Sequence, residues 1–241
     1  ISAVSVFRPA GEERPLSNRY GIDLVFEPSF TSRVYRARQL ICGQYGAWAA
    51  EMHMLKMNLV PYFQCSETAL DLLTHGISRV ADQSRRRSPR FSINCFGVSS
   101  DRENNGVSLD FHNSRRSVVG LQQFGVPGVD YLPPAIQHSL VQLRQDTAEI
   151  IAALPGAHFS DGEAPFRPHI ALLEHGGLPL TVLADATEFA RGVSIDLGIP
   201  AVARVWRLVI LRYSSNAAGD DWSNGRWASD LSWKCLNSYV L

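Results

Sequence analysis

Lysine is almost missing from this chain. Of its 23 strong cations only Lys56 and Lys234 are lysines. The rest are arginines, whose planar fork suits bidentate contacts with phosphate and carboxylate, although GC-rich coding produces the same bias. An excess of either charge is missing too, since Lys plus Arg equals Asp plus Glu at 23 each. That excludes a global field drawing the protein to nucleic acid or membrane and leaves only local anion sites. Four dispersed cysteines, Cys42, Cys65, Cys95 and Cys235, form no CxxC pair, which excludes the usual zinc-ligand spacing and a disulfide framework. No run approaches the roughly 18 apolar residues that span a bilayer, and the opening segment lacks the basic start and apolar core of a signal peptide. Phosphate loops of the GxxxxGK or GxGxxG type are absent, and Gly120, Gly125 and Gly128 do not form one. These absences lead us to expect a soluble, cytoplasmic, monomeric protein with no membrane contact, no cofactor and no resident metal.

What is present alternates between strand and helix patterns. Residues 1–19 are polar, carry Pro9, Gly11 and Pro15, and read as an arm; residues 20–241 read as a single two-lobed domain. Ile22, Leu24 and Phe26 share one face of a strand. A helix is expected over 31–50, a histidine-headed strand over 52–63, and a second helix from Ser66 through Val80. Strands near 91–98 and 106–112 flank Asn105-Gly106, a strong hairpin signal. Val118–Phe124 suggests another short strand. A helix over 135–153 follows, then a second histidine strand over 168–174 and a helix over 180–191. Strands at Ile195–Leu197 and Trp206–Tyr213 come next, ahead of a tail rich in Gly, Asp, Asn and Trp. Each half contains a helix leading into a histidine strand, so the fold expected is α+β, with two lobes meeting near 115–135.

Two histidines stand out. His53 follows the first long helix in Glu51-Met52-His53-Met54-Leu55-Lys56. His169 follows a proline-bounded loop in Pro165-Phe166-Arg167-Pro168-His169-Ile170-Ala171-Leu172. Imidazole changes charge near neutral pH, so two of them meeting across a cleft can act as paired acid and base. A histidine is otherwise most often a hydrogen-bonded structural residue. His175 is placed to rim the same cleft. A metal site from His169, Glu174 and His175 matches no standard ligand spacing. The basic run Arg85–Arg90 lacks interleaved aromatics and reads as a solvated loop. Trp222, Trp227 and Trp233 suit either base stacking or a C-terminal flap closing the core.

Phe166-Arg167-Pro168-His169-Ile170-Ala171-Leu172 resembles the second motif of the two-histidine (2H) phosphoesterase superfamily, which includes RNA 2′,3′-cyclic phosphodiesterases and 2′-5′ RNA ligase-like proteins. His53-Met54-Leu55 stands in the place of the first motif, and Trp206–Ser215 resembles the terminal strand pair. The resemblance implies antiparallel sheets around a central cleft with helices outside. It also implies metal-independent cleavage of a cyclic phosphodiester of a nucleotide or RNA end, with His53 and His169 as acid and base. The family pattern has Thr or Ser two positions after each histidine, where this chain has Leu55 and Ala171. Leu55, Lys56, Arg167, Ala171, His175 and Tyr213 are therefore the candidate substrate-binding residues. Two alternatives follow from the missing hydroxyls: a catalytically inactive binder of nucleotide or RNA, or an enzyme using the histidines on a non-phosphate substrate.

Overall fold

In the computed structural model, residues 17–102, 104–111, 134–159, 166–217 and 221–241 are described. The first strand, β1 (Ser17–Phe26), begins three residues inside the expected arm. Its alternation is used on both sides. Tyr20, Ile22, Leu24 and Phe26 enter the main core, while Val25 packs in a second cluster with Val209, Leu211 and Tyr213. Helix α1 (Pro28–Tyr45) starts with proline in its first turn, where a missing N–H costs nothing. It buries Phe30, Val34, Ala37 and Ile41 against the sheet. Gly43 does not break it. Gly46, at φ 65°, ends it in the left-handed conformation that glycine adopts without strain.

The strand expected over 52–63 is a correction. Residues Ala49–Met52 form a 3-10 turn that His53 terminates, and only β2 (Met57–Asn58) and β3 (Phe63–Gln64) are extended pairs. Helix α2 (Leu70–Arg87) includes Arg85–Arg87 in its last turn, where cations complement the helix dipole. Strands β4 (Ser92–Asp101) and β5 (Gly106–Phe111) form the expected hairpin, with Asn105 at positive φ. Helix α3 (Pro134–Ala152) packs on α2. The suggested strand Val118–Phe124 and the expected boundary at 115–135 lie outside the described residues.

Strand β6 (His158–Phe159) pairs with β3, and β7 (His169–Leu173) carries the second histidine. Helix α4 runs from Leu180 to Asp196, so Ile195 and Asp196 continue the helix where a strand was expected; Gly198, at φ 59°, turns the chain just beyond. The face of Leu183, Ala186, Thr187 and Ala190 holds α4 on the sheet. Strands β8 (Val202–Ser215) and β9 (Ser232–Val240) complete the order β6-β3-β1-β8-β4-β5-β7, with β2 on β1 and β9 on β8. All the pairings are antiparallel. Strand β8 belongs to both wings: Val202–Arg204 pair with β4, and Val205–Ser215 pair with β1. Strand β2 of one wing lies alongside β7 of the other, and the candidate groups stand on and around these two strands.

Candidate active site

His169 opens β7, and its surroundings are built by the loop before it and the strand beside it. Its Nδ1–H donates to the Arg167 carbonyl at 2.8 Å, which leaves Nε2 as the nitrogen with a free lone pair in the neutral ring. Among the described residues Nε2 has no hydrogen-bond partner. Phe111 N–H donates to the Pro168 carbonyl at 3.0 Å and ties the loop to β5. Asp110 stands directly opposite His169 in the ladder, and Ser108 opposite Ala171. Directly opposed residues share one face of a sheet. Arg167, 44 % exposed in its side chain, extends over this face. Its Nη2 donates to Ser99 Oγ at 2.9 Å, to Ser108 Oγ at 3.2 Å and to both Asp110 carboxylate oxygens at 3.2 Å.

His53 is placed differently. Arg38 is fully buried, and its Nη1 donates to the carbonyls of Ala50 (2.5 Å) and His53 (3.1 Å), clamping the 3-10 turn. The His53 ring faces oxygen on both sides, the Met54 carbonyl at Nδ1 (3.1 Å) and the Glu174 carboxylate at Nε2. At 8 % exposure, with the Trp227 ring centroid 5.9 Å away, His53 is sealed from solvent. Glu174 lies five strand positions from His169, about 16 Å of extended backbone. His169 thus opens β7, while His53 bonds the carboxylate of Glu174 just past the end of that strand.

Lys56 immediately precedes β2. Its ammonium donates to Asn58 Oδ1 and to the Tyr62 hydroxyl (2.6 Å), lies 3.7 Å from Asp23, and sits 4.8 Å from the centre of the Tyr62 ring. Burial alone would pull its pKa down, but the Asp23 carboxylate and Tyr62 outweigh this and lift it above the ordinary lysine value. Tyr213, a candidate substrate-binding residue, is 2 % exposed and donates to Asp23 at 3.3 Å. Gly21 makes this convergence possible, because a Cβ there would meet Asp23 Oδ2 at 2.9 Å and Tyr213 at 3.2 Å. Glu174 lies between His53, His175 and Lys56. Burial pushes its carboxyl up, but these neighbours, His53 foremost, hold it at about 2. Leu55 is buried in the main core. His175, at φ 47°, abuts Gly225 and meets the Trp227 ring edge-on.

Trp222 and Trp227 pack on Val209, Leu211 and Tyr213, so they cover the inner face of β1 and β8 as a strap rather than offering bases a platform. Asp230 closes its neck, accepting from Ser215 Oγ (2.5 Å) and Asn216 N–H (2.9 Å). Among the described residues no group of three His, Cys, Asp or Glu side chains is arranged to hold a metal ion, and no helix is long and apolar enough to cross a membrane. Sequence reasoning missed Asp23, Tyr62, Ser99, Ser108 and Asp110. Asp23 and Asp110 did carry a signal, a lone carboxylate inside an otherwise apolar strand.

No family model matches this chain, and no curated protein matches it by sequence. Solved structures do. The crystal structure of a phosphoesterase aligns over 93% of this chain and 99% of its own, at 14% identity and a TM-score of 0.53. E. coli LigT aligns more loosely: its apo form matches at 15% identity, covering 93% of this chain and 98% of that one, with a TM-score of 0.47. Its complex with 3′-AMP gives 14% identity, the same coverage and 0.46. The chain thus has an α+β fold, an antiparallel sheet with peripheral helices, shared with that phosphoesterase structure.

Proposed function

We propose that this chain is a metal-independent phosphoesterase acting on a cyclic phosphodiester of a nucleotide or RNA end, with His169 as its proton-transfer group. The observation that carries this reading is the His169 ring: oriented by the Arg167 carbonyl, it has an unengaged Nε2 beside an exposed guanidinium. In the neutral ring Nε2 takes a proton from the attacking water. Arg167 offers its outer edge to the phosphoryl oxygens, the contact for which a guanidinium is suited. In-line displacement sends the departing 2′ or 3′ oxygen away from the attacking water, and that oxygen takes up a proton from solvent.

His53 takes no part in this scheme, since both its nitrogens are engaged. The test is incubation with a panel of 2′,3′-cyclic nucleotides and product analysis. His169→Ala should lower turnover by roughly 10² to 10⁴, the usual worth of a positioned acid or base, whereas His53→Gln should leave most of it. Equal turnover by the wild type and His169→Ala would overturn the assignment.

A second reading, a binder of the same ligands without turnover, is favoured by one observation: position 171 is alanine and the adjacent Ser108 hydroxyl is buried and bonded within the protein. Calorimetric binding of cyclic nucleotide with no product would establish it.

A further inference from the structure

We propose that Asp110 is the positioning residue of this site, holding Arg167 and, through it, the imidazole of His169. The inference rests on the reading of His169 given above and extends it one strand inward. Asp110 lies on β5 directly across from His169, yet its carboxylate does not bond the ring; both of its oxygens accept from Arg167 Nη2 at 3.2 Å. The carboxylate is itself fixed. Ser99 Oγ donates to one oxygen at 2.5 Å and Ser108 Oγ to the other at 2.8 Å, and Ser99 and Ser108 face each other across β4 and β5. Asp101 adds a weaker hold on Arg167 Nη1 at 3.6 Å.

Arg167 thus has two attachments to the same platform. Its side chain is gripped by Asp110, and its carbonyl accepts the Nδ1–H of His169. With the next carbonyl, that of Pro168, bonded to Phe111 N–H, the whole loop before β7 is registered on β5. A swing of Arg167 would move the carbonyl that fixes the imidazole tautomer, so the carboxylate acts on the ring through the arginine. Apart from Asp110 and Asp101, the contacts holding the guanidinium come from neutral hydroxyls, which leave its exposed edge able to face an anion.

Asp110→Asn keeps the shape but replaces one acceptor with an amide that faces donors. Two measurements follow on the full chain. The ¹⁵N spectrum of the His169 ring should show a single Nδ1–H tautomer in the wild type and a mixture in Asp110→Asn. For cyclic nucleotide hydrolysis kcat should fall about ten- to a hundredfold, the cost of a small misplacement, while KM stays within about twofold because Arg167 remains cationic. Asp110→Glu should recover part of both. An unchanged tautomer in Asp110→Asn overturns the positioning role, whatever the kinetics. If the wild type turns over no substrate, the proposed activity fails while the tautomer measurement still decides the role of Asp110.

Discussion

Single side chains at the two ends of β7 show how the same residue type is put to opposite uses. His169 has one nitrogen bonded to a carbonyl and one unengaged, whereas His53 has both committed, one of them to a buried carboxylate. That carboxylate makes a pH prediction. Glu174 is held at about 2 in the folded protein against an ordinary 4.5. Its folded-state value is depressed, so the stability it contributes is complete above about pH 4.5 and drains away as the pH falls toward 2. The amount is about 3 kcal/mol. Urea unfolding between pH 5 and 2 should show a steep acid loss in the wild type and a flatter one in Glu174→Gln; equal slopes would mean the His53 contact adds nothing. At this scale the sequence was partly legible. His169, Arg167 and Ala171 were recognisable because a proline-bounded loop and a short apolar strand frame them. Glu174 as the partner of His53 was not, because nothing in the spacing of residues 53 and 174 shows which ends of which strands meet.

Among the elements, the helices and the β4–β5 hairpin were legible from periodicity and turn chemistry, and the short strands were not. β2, β3 and β6 are two residues each, too short for alternation to register; β2 and β3 are placed by β1, and β6 by β3. Ile195 misled for a related reason: it is 64 % exposed, an apolar residue at a helix end rather than part of a strand face. The contact between α2 and α3 supplies a test in which local and tertiary effects oppose each other. Gly76 lies inside α2, where alanine would ordinarily stabilise by about 1 kcal/mol. A Cβ there would meet Ile150 Cγ2 at 2.6 Å, and overpacking costs about 1–3 kcal/mol. Gly76→Ala should therefore destabilise the protein in thermal unfolding, and Gly76→Ala combined with Ile150→Ala, which removes the clashing Cγ2, should cost less than the sum of the two single changes. A gain in stability from Gly76→Ala alone would show that α3 yields.

For the molecule as a whole, the shared strand β8 decides how the two wings behave. Because β8 is paired with β1, β4 and β9, loosening its centre should be felt in both wings. Ile210 is fully buried opposite Ile22, and truncating such a residue costs about 2–5 kcal/mol. Ile210→Ala should lower the unfolding midpoint in one transition, with circular dichroism and tryptophan fluorescence coinciding; two separated transitions would mean that the wings melt independently. The α+β class and the order of the larger elements could be read from the sequence. The covering of the inner face by Trp222 and Trp227 could be anticipated only as one of two uses, since burial of a tryptophan depends on what faces it.

The same strand has a consequence for how the chain is made. Asp23 reaches its hydroxyl partner Tyr213 across 190 positions, and β1 as a whole waits for β8. While the ribosome adds the intervening residues, β1 has emerged without its principal ladder neighbour, and an unpaired apolar edge invites pairing with other chains. The newborn polypeptide is thus most exposed to misassociation before β8 has been translated.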